Sequence, residues 1–279
     1  MQTIDITLPC GAVAEVQAFD GHAQLAMKNA IADVVTQDGQ KTGEKTVTKG
    51  TWEDKVLARV LLKLDGKVKA SDGSTVTGLR LGSRRRVMIA ARRLAYGDAV
   101  KCRVPCVKCQ TMNEVPVDLA KVDDVAYPES KQYTITVVNP VDEVPYTFNL
   151  KWATGVEEQA LQHGLRTRTL SFDDDVLTCI QGVTYDTGNG DSYSGQLARR
   201  ALLERIPVAV LDELRVAYSY TVPILRADGD APVVPDEYAA VPACGARARV
   251  QATCEACGEN FRFMVTEQPD FIFRGLLKS

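Results

Sequence analysis

The chain has 279 residues, of which 45% are hydrophobic and 25% are charged, and this composition is typical of a protein that buries its own core. Its formal net charge of −3 argues against a protein that coats nucleic acid or an anionic membrane, because neither surface would be attracted by the average field. No apolar run approaches the roughly 18 residues that span a bilayer, and the first residues lack the pattern of a secretion signal. We therefore expect a protein made in the cytosol, where its eight cysteines favour thiols or metal ligands over disulfides.

Alternating apolar residues and turn signals predict two β-hairpins in the first 152 residues. The first is predicted from Ile4 to Val16 with a turn at Pro9-Cys10-Gly11, and the second joins residues 133–138 to 146–152. Helical patterns lie at about 21–32, 52–64, 83–95, 155–163, 172–181, 194–205 and 208–219. Together these elements predict an α+β fold.

Three signals occur twice in the same order: a helix start with a capping Thr or Ser, an Arg-x-Ala-Tyr sequence at a helix end, and a Cys-x-x-Cys pair. The first copies lie at 51–57, 93–96 and 106–109, and the second copies lie at 171–177, 215–218 and 254–257. This order predicts two pseudo-equivalent halves, residues 1–127 and 128–279, each containing helices, short strands and one cysteine pair. Chance similarity between amphipathic helices is the alternative.

The two cysteine pairs, Cys106/Cys109 and Cys254/Cys257, each lie between two strand-like runs. Two residues between cysteines allow one tight turn to present both thiolates to one ion, and a structural zinc site has four such ligands with no open position. We therefore predict one split, zinc-ribbon-like site that the two halves share. Two unrelated pairs of reduced thiols are the alternative.

The other four cysteines have weaker signals. Cys102 and Cys244 flank the two pairs, so they could pair with each other or substitute as ligands, but the sequence favours core residues or free thiols. Cys10 and Cys179 have no partner at a metal-site spacing.

Charged runs offer further candidates. The run Arg84-Arg85-Arg86 lies at a predicted helix start, where positive charge is unfavourable, so it indicates either a contact with an acidic protein or a phosphate, or a solvated helix face. Acidic residues in a first turn are stabilising, so we interpret residues 173–175 as capping residues. Residues 186–191 are interpreted as a turn, because they lack the ligand spacing of a calcium loop.

The sequence offers no candidate for catalysis. His22 and His163 are the only histidines, and no motif of a zinc hydrolase, a serine hydrolase or a phosphate-binding loop occurs. Four cysteine ligands would also leave a metal with no position for an activated water. We therefore expect a protein that is not an enzyme.

Several short motifs together resemble a known family. They are Arg92 to Gly97, Cys106-Val-Lys-Cys109, Val117-Asp-Leu119, Cys254-Glu-Ala-Cys257-Gly258 and Phe271-Ile-Phe-Arg274. Their order resembles the baseplate hub proteins of T-even-type, contractile-tailed bacteriophages, in which a second Cys-x-x-Cys-Gly stands shortly before an aromatic-rich C-terminus. The chain departs from that pattern in Ala95, where the family has Ser, and in long loops at 36–50 and 223–243.

The resemblance implies a structural component of a phage tail baseplate, made in the host cytoplasm and carried in the virion. Its partners would be other tail and baseplate proteins, with several copies in a symmetric assembly and no membrane. One alternative is an assembly chaperone that is absent from the finished particle. Another is a zinc-ribbon nucleic-acid adaptor, in which residues 84–86, Arg92 and Arg93 would contact phosphates, although the acidic net charge argues against nucleic acid.

Overall fold

The computed structural model of the chain describes residues 2–21, 23, 49–70, 73–166, 175–228, 234–268 and 271. Helices and strands are mixed along the chain, which confirms the α+β class. Contacts divide the chain into two compact units. Unit 1 comprises Met1–Tyr127, Val222–Val233 and Cys244–Ser279, and unit 2 comprises Pro128–Thr221 and Val234–Ala243.

This division differs from the predicted one into residues 1–127 and 128–279. A boundary does fall after Tyr127, but the chain returns from unit 2 and its last segment packs into the N-terminal core. The physical reason is that the apolar residues at 246–265 complete the core of unit 1. Both cysteine pairs consequently belong to one unit.

Unit 1 begins with an antiparallel sheet of four strands in sequence order. The strands are β1 (Thr3–Thr7), β2 (Val13–Gln17), β3 (Leu61–Leu64) and β4 (Lys67–Val68). The first predicted hairpin is confirmed by β1 and β2, which pair from Thr3↔Gln17 to Thr7↔Val13. Helix α1 (Lys49–Val60) is shorter than the predicted helix at 52–64, because Leu61 to Leu64 pair with β2.

Two more helices of unit 1 follow, α2 (Ser74–Thr77) and α3 (Leu81–Tyr96). Helix α3 confirms the helix predicted at 83–95, and it ends at Gly97, whose backbone φ of 78° favours glycine. Most of the residues from Gly82 to Arg92 are buried. This helix therefore lies inside unit 1 and not on its surface.

The remaining strands of unit 1 form three small sheets. Strand β5 (Ala99–Pro105) pairs with β6 (Met112–Asp118), and β7 (Asp124–Val125) pairs with β13 (Gly245–Ala246). The third sheet has the order β12 (Ile224–Arg226), β14 (Arg249–Thr253) and β15 (Asn260–Met264), with β12 parallel to β14. A side chain on Gly82 would meet the Cα of Gly245 at 2.5 Å, so the last segment lies directly against α3.

The described residues of unit 2 form a four-stranded antiparallel sheet and three helices. Its strands, in spatial order, are β11 (Ser192–Gly195), β10 (Ile180–Asp186), β9 (Pro145–Lys151) and β8 (Gln132–Val138). Its helices are α4 (Gly155–Arg166), α5 (Arg199–Arg205) and α6 (Val208–Ser219). One sheet face, which includes Phe148 and Leu150, forms a core with residues of α5 and α6.

Several predictions can be compared with unit 2. The second hairpin is confirmed by β8 and β9, and the helices predicted at 155–163 and 208–219 are confirmed by α4 and α6. The predicted helix at 172–181 is wrong in its described part, since a 3-10 turn at Val176–Thr178 is followed by β10, which pairs with β9. The helix predicted at 194–205 begins only at Arg199, because β11 occupies 192–195. The helix predicted at 21–32 lies mostly outside the described residues.

Candidate metal centre

The first cysteine pair lies at the tip of the hairpin formed by β5 and β6. The ladder runs from Ala99↔Asp118 to Pro105↔Met112, and residues 106–111 form the loop, called here the first knuckle. The backbone N–H of Cys106 donates to the Thr111 carbonyl at 2.9 Å, and the N–H of Gln110 donates to the Cys106 carbonyl at 3.0 Å. Gln110 has a φ of 60°, so the residue after the second cysteine takes the left-handed conformation.

The second cysteine pair lies at the tip of the hairpin formed by β14 and β15, in residues 254–259, the second knuckle. Its closing pair is Thr253↔Asn260. The N–H of Cys254 donates to the Glu259 carbonyl at 2.8 Å, and the N–H of Gly258 donates to the Cys254 carbonyl at 2.9 Å. Gly258 has a φ of 72°. The two knuckles therefore share loop length, hydrogen bonds and backbone conformation.

The tips of both hairpins bring four sulfur atoms together. Cys106 Sγ lies 3.7 Å from Cys257 Sγ, and Cys109 Sγ lies 3.6 Å from Cys254 Sγ. All four Sγ atoms lie within 4.8 Å of one another, and none is in a disulfide. A tetrahedral ion with metal–sulfur bonds of about 2.3 Å requires sulfur separations of about 3.8 Å. The four cysteines predicted from the sequence can therefore hold one metal ion.

Each knuckle contributes one buried and one exposed cysteine. Cys106 is fully buried and Cys254 is 1% exposed, whereas Cys109 and Cys257 are exposed. The backbone N–H of Lys108 donates to Cys106 Sγ at 3.4 Å. The thiolate is the form of cysteine that binds metals.

The pKa values of the thiols respond to their close approach. Hydrogen bonds from the hydroxyl and the backbone of Thr111 lower the pKa of Cys109 to about 6. The Glu259 backbone lowers the pKa of Cys257, but hydrogen bonds with the neighbouring sulfurs, Cys109 first, and burial outweigh this and raise it to about 12. Burial raises the pKa of Cys254, but the backbone N–H groups of Cys257 and Ala256 lower it overall. A cation that binds these sulfurs would displace their protons, because the thiolate is the form of cysteine that binds metals.

Two side-chain contacts join the knuckles besides the sulfurs. Asn113, which is 6% exposed, donates from Nδ2 to the Thr111 carbonyl at 2.8 Å and accepts at Oδ1 from the Glu255 N–H at 3.2 Å. Lys108 Nζ lies 3.2 Å from Glu259 Oε2 in an exposed ion pair. Asn113 was not predicted as a site residue, although the alternation in β6 places it on the same face as Val115 and Val117.

Comparisons of the chain with protein-family models, with curated proteins and with solved structures found no match. What the centre can bind therefore depends on its own residues and geometry. Those residues are four thiol ligands and the backbone N–H groups that support them.

The other four cysteines lie outside this cluster. Cys102 is fully buried within the core of unit 1, which agrees with the favoured core interpretation, and Cys244 is half-buried. Cys10 is exposed at the turn of the first hairpin. Cys179 is buried in unit 2 with its Sγ 3.5 Å from the Tyr218 hydroxyl, and burial raises the pKa of its thiol to about 11.

Two arginines of the run 84–86, Arg84 and Arg86, form ion pairs within unit 1. Arg84 is 1% exposed, its Nη2 lies 2.7 Å from Asp54 Oδ1, and its Nη1 donates to the Val76 carbonyl. Arg86 Nε lies 3.1 Å from Asp124 Oδ2. Arg84 and Arg86 therefore pair with partly buried carboxylates of neighbouring elements, and they take neither of the two predicted environments, the partner contact or the solvated face. Asp54 therefore pairs with Arg84, and helix α1 begins at Lys49, before the helix start predicted at Thr51.

The other two arginines assigned to a nucleic-acid surface also have internal contacts. Arg92 is 1% exposed, donates to the Gly97 carbonyl at 3.4 Å and stacks over the Tyr96 ring at 4.5 Å. Arg93 Nε lies 2.6 Å from Asp98 Oδ1. Their guanidinium groups are therefore engaged within the helix end and the turn that follows it.

The remaining candidates are local capping and turn residues. Asp175 accepts from the Val176 N–H at 2.7 Å and caps a 3-10 turn, while residues 173 and 174 lie outside the described ranges. Residues 186–191 form the turn between β10 and β11, in which Asp186 accepts from the Gly188 N–H. His22 and the side chain of His163 also lie outside the described part. Among the helices of the described ranges, none is long and apolar enough to cross a membrane.

Proposed function

We propose that the four clustered cysteines bind one structural zinc ion that fastens the two knuckles of unit 1 to each other. The observation that carries this proposal is the set of sulfur separations, 3.6 and 3.7 Å, close to the edge of a zinc–thiolate tetrahedron. Four soft thiolate ligands at tetrahedral spacing favour zinc or iron over magnesium or calcium, which prefer oxygen. Zinc has no redox chemistry, and four thiolates leave it no open position, so its role here is architectural.

The location of the site supports this role. Cys109 and Cys254 are 145 positions apart in the sequence, yet both lie on hairpins of one core. An ion at the site would join the hairpin at residues 249–264 to the hairpin at residues 99–118 and would stabilise that connection by its binding free energy. Metal analysis of the purified chain should return about one zinc per chain. A folded chain without metal after growth in zinc-containing medium would contradict the proposal.

We further propose that the chain is a non-enzymatic structural component of a phage tail baseplate, in the hub region, where it binds neighbouring tail proteins in several copies. The support is the resemblance carried by the two cysteine motifs and their flanking residues. A zinc-stapled core suits a protein whose work is to keep its shape within an assembly. The rival nucleic-acid adaptor is disfavoured because Arg84, Arg86, Arg92 and Arg93 are engaged within unit 1.

A duplication that relates two halves of the chain belongs to the same proposal. The order of helix, strand, knuckle and strand occurs as α3, β5, first knuckle and β6, and the second knuckle likewise follows α6 and lies between β14 and β15. The matching hydrogen bonds of the two loops support it. The second helix-start motif, at 171–177, does not support the duplication, because strand β10 begins at Ile180, within the helix predicted at 172–181.

The baseplate proposal can be tested on particles. Purified phage that carry this gene are analysed by mass spectrometry, and the chain should be found in the baseplate fraction at a fixed ratio to other tail proteins. A chain that is needed for tail assembly but absent from finished particles would be the chaperone. Salt-dependent binding to DNA, with affinity falling steeply as salt rises, would support the adaptor instead.

A further inference from the structure

We propose that Asn113 is a positioning residue that holds the second knuckle against the first and thereby sets the affinity of the four-cysteine site for its metal. This inference rests on the metal-binding part of the proposed function. Its subject is one buried amide that contacts both loops and is not itself a ligand.

The placement of Asn113 follows from the strand that carries it. The side chains of β6 alternate between exposed and buried positions, and Asn113 occupies a buried position, as do Val115 and Val117. Burying an amide costs free energy unless the amide is hydrogen-bonded, so its hydrogen-bond partners explain why the fold can bury it. Both polar atoms of this amide have a partner, and the two partners belong to different knuckles.

One hydrogen bond fixes the first knuckle, and the other fixes the second. Asn113 Nδ2 donates to the Thr111 carbonyl, which also accepts from the backbone N–H of Cys106 at 2.9 Å. Oδ1 accepts from the N–H of Glu255, the residue that follows the buried ligand Cys254. Holding that amide fixes the backbone next to Cys254, whose Sγ lies 3.6 Å from Cys109 Sγ.

The second hairpin has no matching amide. Asn113 lies four residues after Cys109, and the residue four after Cys257 is Phe261, which is 3% exposed and belongs to the apolar core. The exposed ion pair between Lys108 and Glu259 also bridges the knuckles, but exposed pairs contribute little, typically about 0–1 kcal/mol. Asn113 is therefore the buried polar link between the loops among the described residues.

The expected effect follows from the behaviour of outer-shell groups at metal sites. Replacing Asn113 by alanine leaves the Glu255 N–H and one acceptor position on the Thr111 carbonyl without this partner, and it frees the second knuckle to shift. Loss of such partners typically weakens metal affinity about 10–100-fold. The four ligands remain, so the coordination itself should stay tetrahedral.

The test measures zinc affinity of the full chain by competition with a chromophoric chelator, for Asn113→Ala and for the control Asn260→Ala. Asn260 also lies beside a knuckle and accepts one hydrogen bond, from Thr253 Oγ1 at 2.8 Å, but it is exposed and its partner is in its own hairpin. Asn113→Ala should bind zinc about 10–100-fold more weakly, and Asn260→Ala should stay within about threefold of the unmodified chain. Cobalt substituted for zinc should keep a tetrahedral thiolate spectrum in both.

Several results would overturn the proposal. Unchanged affinity in Asn113→Ala, or equal losses in both variants, would show that Asn113 does not position the ligands. If Asn113→Ala lowers the free energy of unfolding in urea but leaves the zinc affinity of the folded chain unchanged, Asn113 only stabilises the fold and does not position the ligands. If the alanine variant does not fold, Asn113→Ser, which is polar but too short to reach both loops, is expected to show the same loss. If the unmodified chain binds neither zinc nor cobalt, the proposed metal site itself is wrong, and this outcome is distinct from the others.

Discussion

Replacing Cys254 by serine should remove the bound metal and loosen the second knuckle. Cys254 is 1% exposed and its sulfur faces Cys109, so a substitute ligand cannot easily reach the same place. A serine hydroxyl stays protonated at neutral pH and is a poor ligand for zinc, which uses thiolate, imidazole and carboxylate groups. The variant therefore keeps three thiolates and has an open fourth position.

The magnitude follows from linkage between binding and folding. Two of the sulfur separations, 3.6 and 3.7 Å, lie within about 0.2 Å of the spacing required by a tetrahedral ion. All four sulfurs lie within 4.8 Å of one another, so the folded chain needs only a small rearrangement to bind the ion. A ligand present at 1,000 times its dissociation constant stabilises the folded state by about 4.1 kcal/mol. Loss of that term is large beside the 5–15 kcal/mol typical of a whole protein. We expect Cys254→Ser to lower the free energy of unfolding of unit 1 by about 4 kcal/mol in the presence of zinc.

The assay compares Cys254→Ser with Cys10→Ser, because Cys10 is exposed and lies outside the cluster. Zinc per chain is measured by elemental analysis, and stability is measured by urea unfolding with and without a chelator. Hydrogen exchange should show lost protection in β5, β6, β14 and β15, with protection kept in β8 to β10. The reasoning is refuted if Cys254→Ser retains one zinc per chain, or if a chelator removes zinc without changing the unfolding of the unmodified chain.

Further substitutions test other parts of the structure, each by urea unfolding. Gln110→Gly should raise the free energy of unfolding by roughly 0.5–1 kcal/mol because φ is 60° there, and Gly258→Ala should lower it by about 1 kcal/mol; opposite signs would contradict the knuckle conformation. Arg84→Met should cost about 3–5 kcal/mol by leaving the Asp54 carboxylate without its 2.7 Å partner, and adding Asp54→Leu should recover part of this loss. Burial opposes ionisation of Glu157, but hydrogen bonds from Lys151 and Thr154 outweigh it and lower the pKa of this carboxyl. The ionised Glu157 therefore stabilises the folded chain above the unfolded pKa of about 4.3, and this contribution is lost as the pH falls through the lower folded pKa. Between about pH 5 and 3, the free energy of unfolding should fall more steeply for the unmodified chain than for Glu157→Gln.

The local form of the candidate site could be predicted from the sequence. The spacing of Cys106/Cys109 and of Cys254/Cys257, with alternating residues on both sides, indicated tight turns at the tips of hairpins, and the structure has hairpins at both places. Helix α6 was predicted with its observed bounds because its apolar period is local and Pro207 stands before it. These features depend on neighbours in the sequence, which a single sequence displays.

Features that depend on distant partners could not be predicted in the same way. The run Leu61 to Leu64 continues the apolar pattern of α1, and it becomes β3 only because β2 offers it hydrogen bonds. Ile180 begins β10 for the same kind of reason, because it pairs with Leu150 of β9. The return of residues 244–268 to the N-terminal core depends on close contacts such as that of Gly82 with Gly245, which no local pattern encodes.

The distance along the chain between the two knuckles has a consequence for synthesis. At about 5–20 residues per second, the 145 positions from Cys109 to Cys254 take a ribosome roughly 7–30 seconds to translate. During that time Cys106 and Cys109 form only half of the ligand set, while the main segment of unit 2, residues 128–221, has already emerged in one piece. A nascent chain interrupted before residue 257 cannot complete the set. A metal ion held by all four thiolates would therefore mark those chains whose translation has passed that residue.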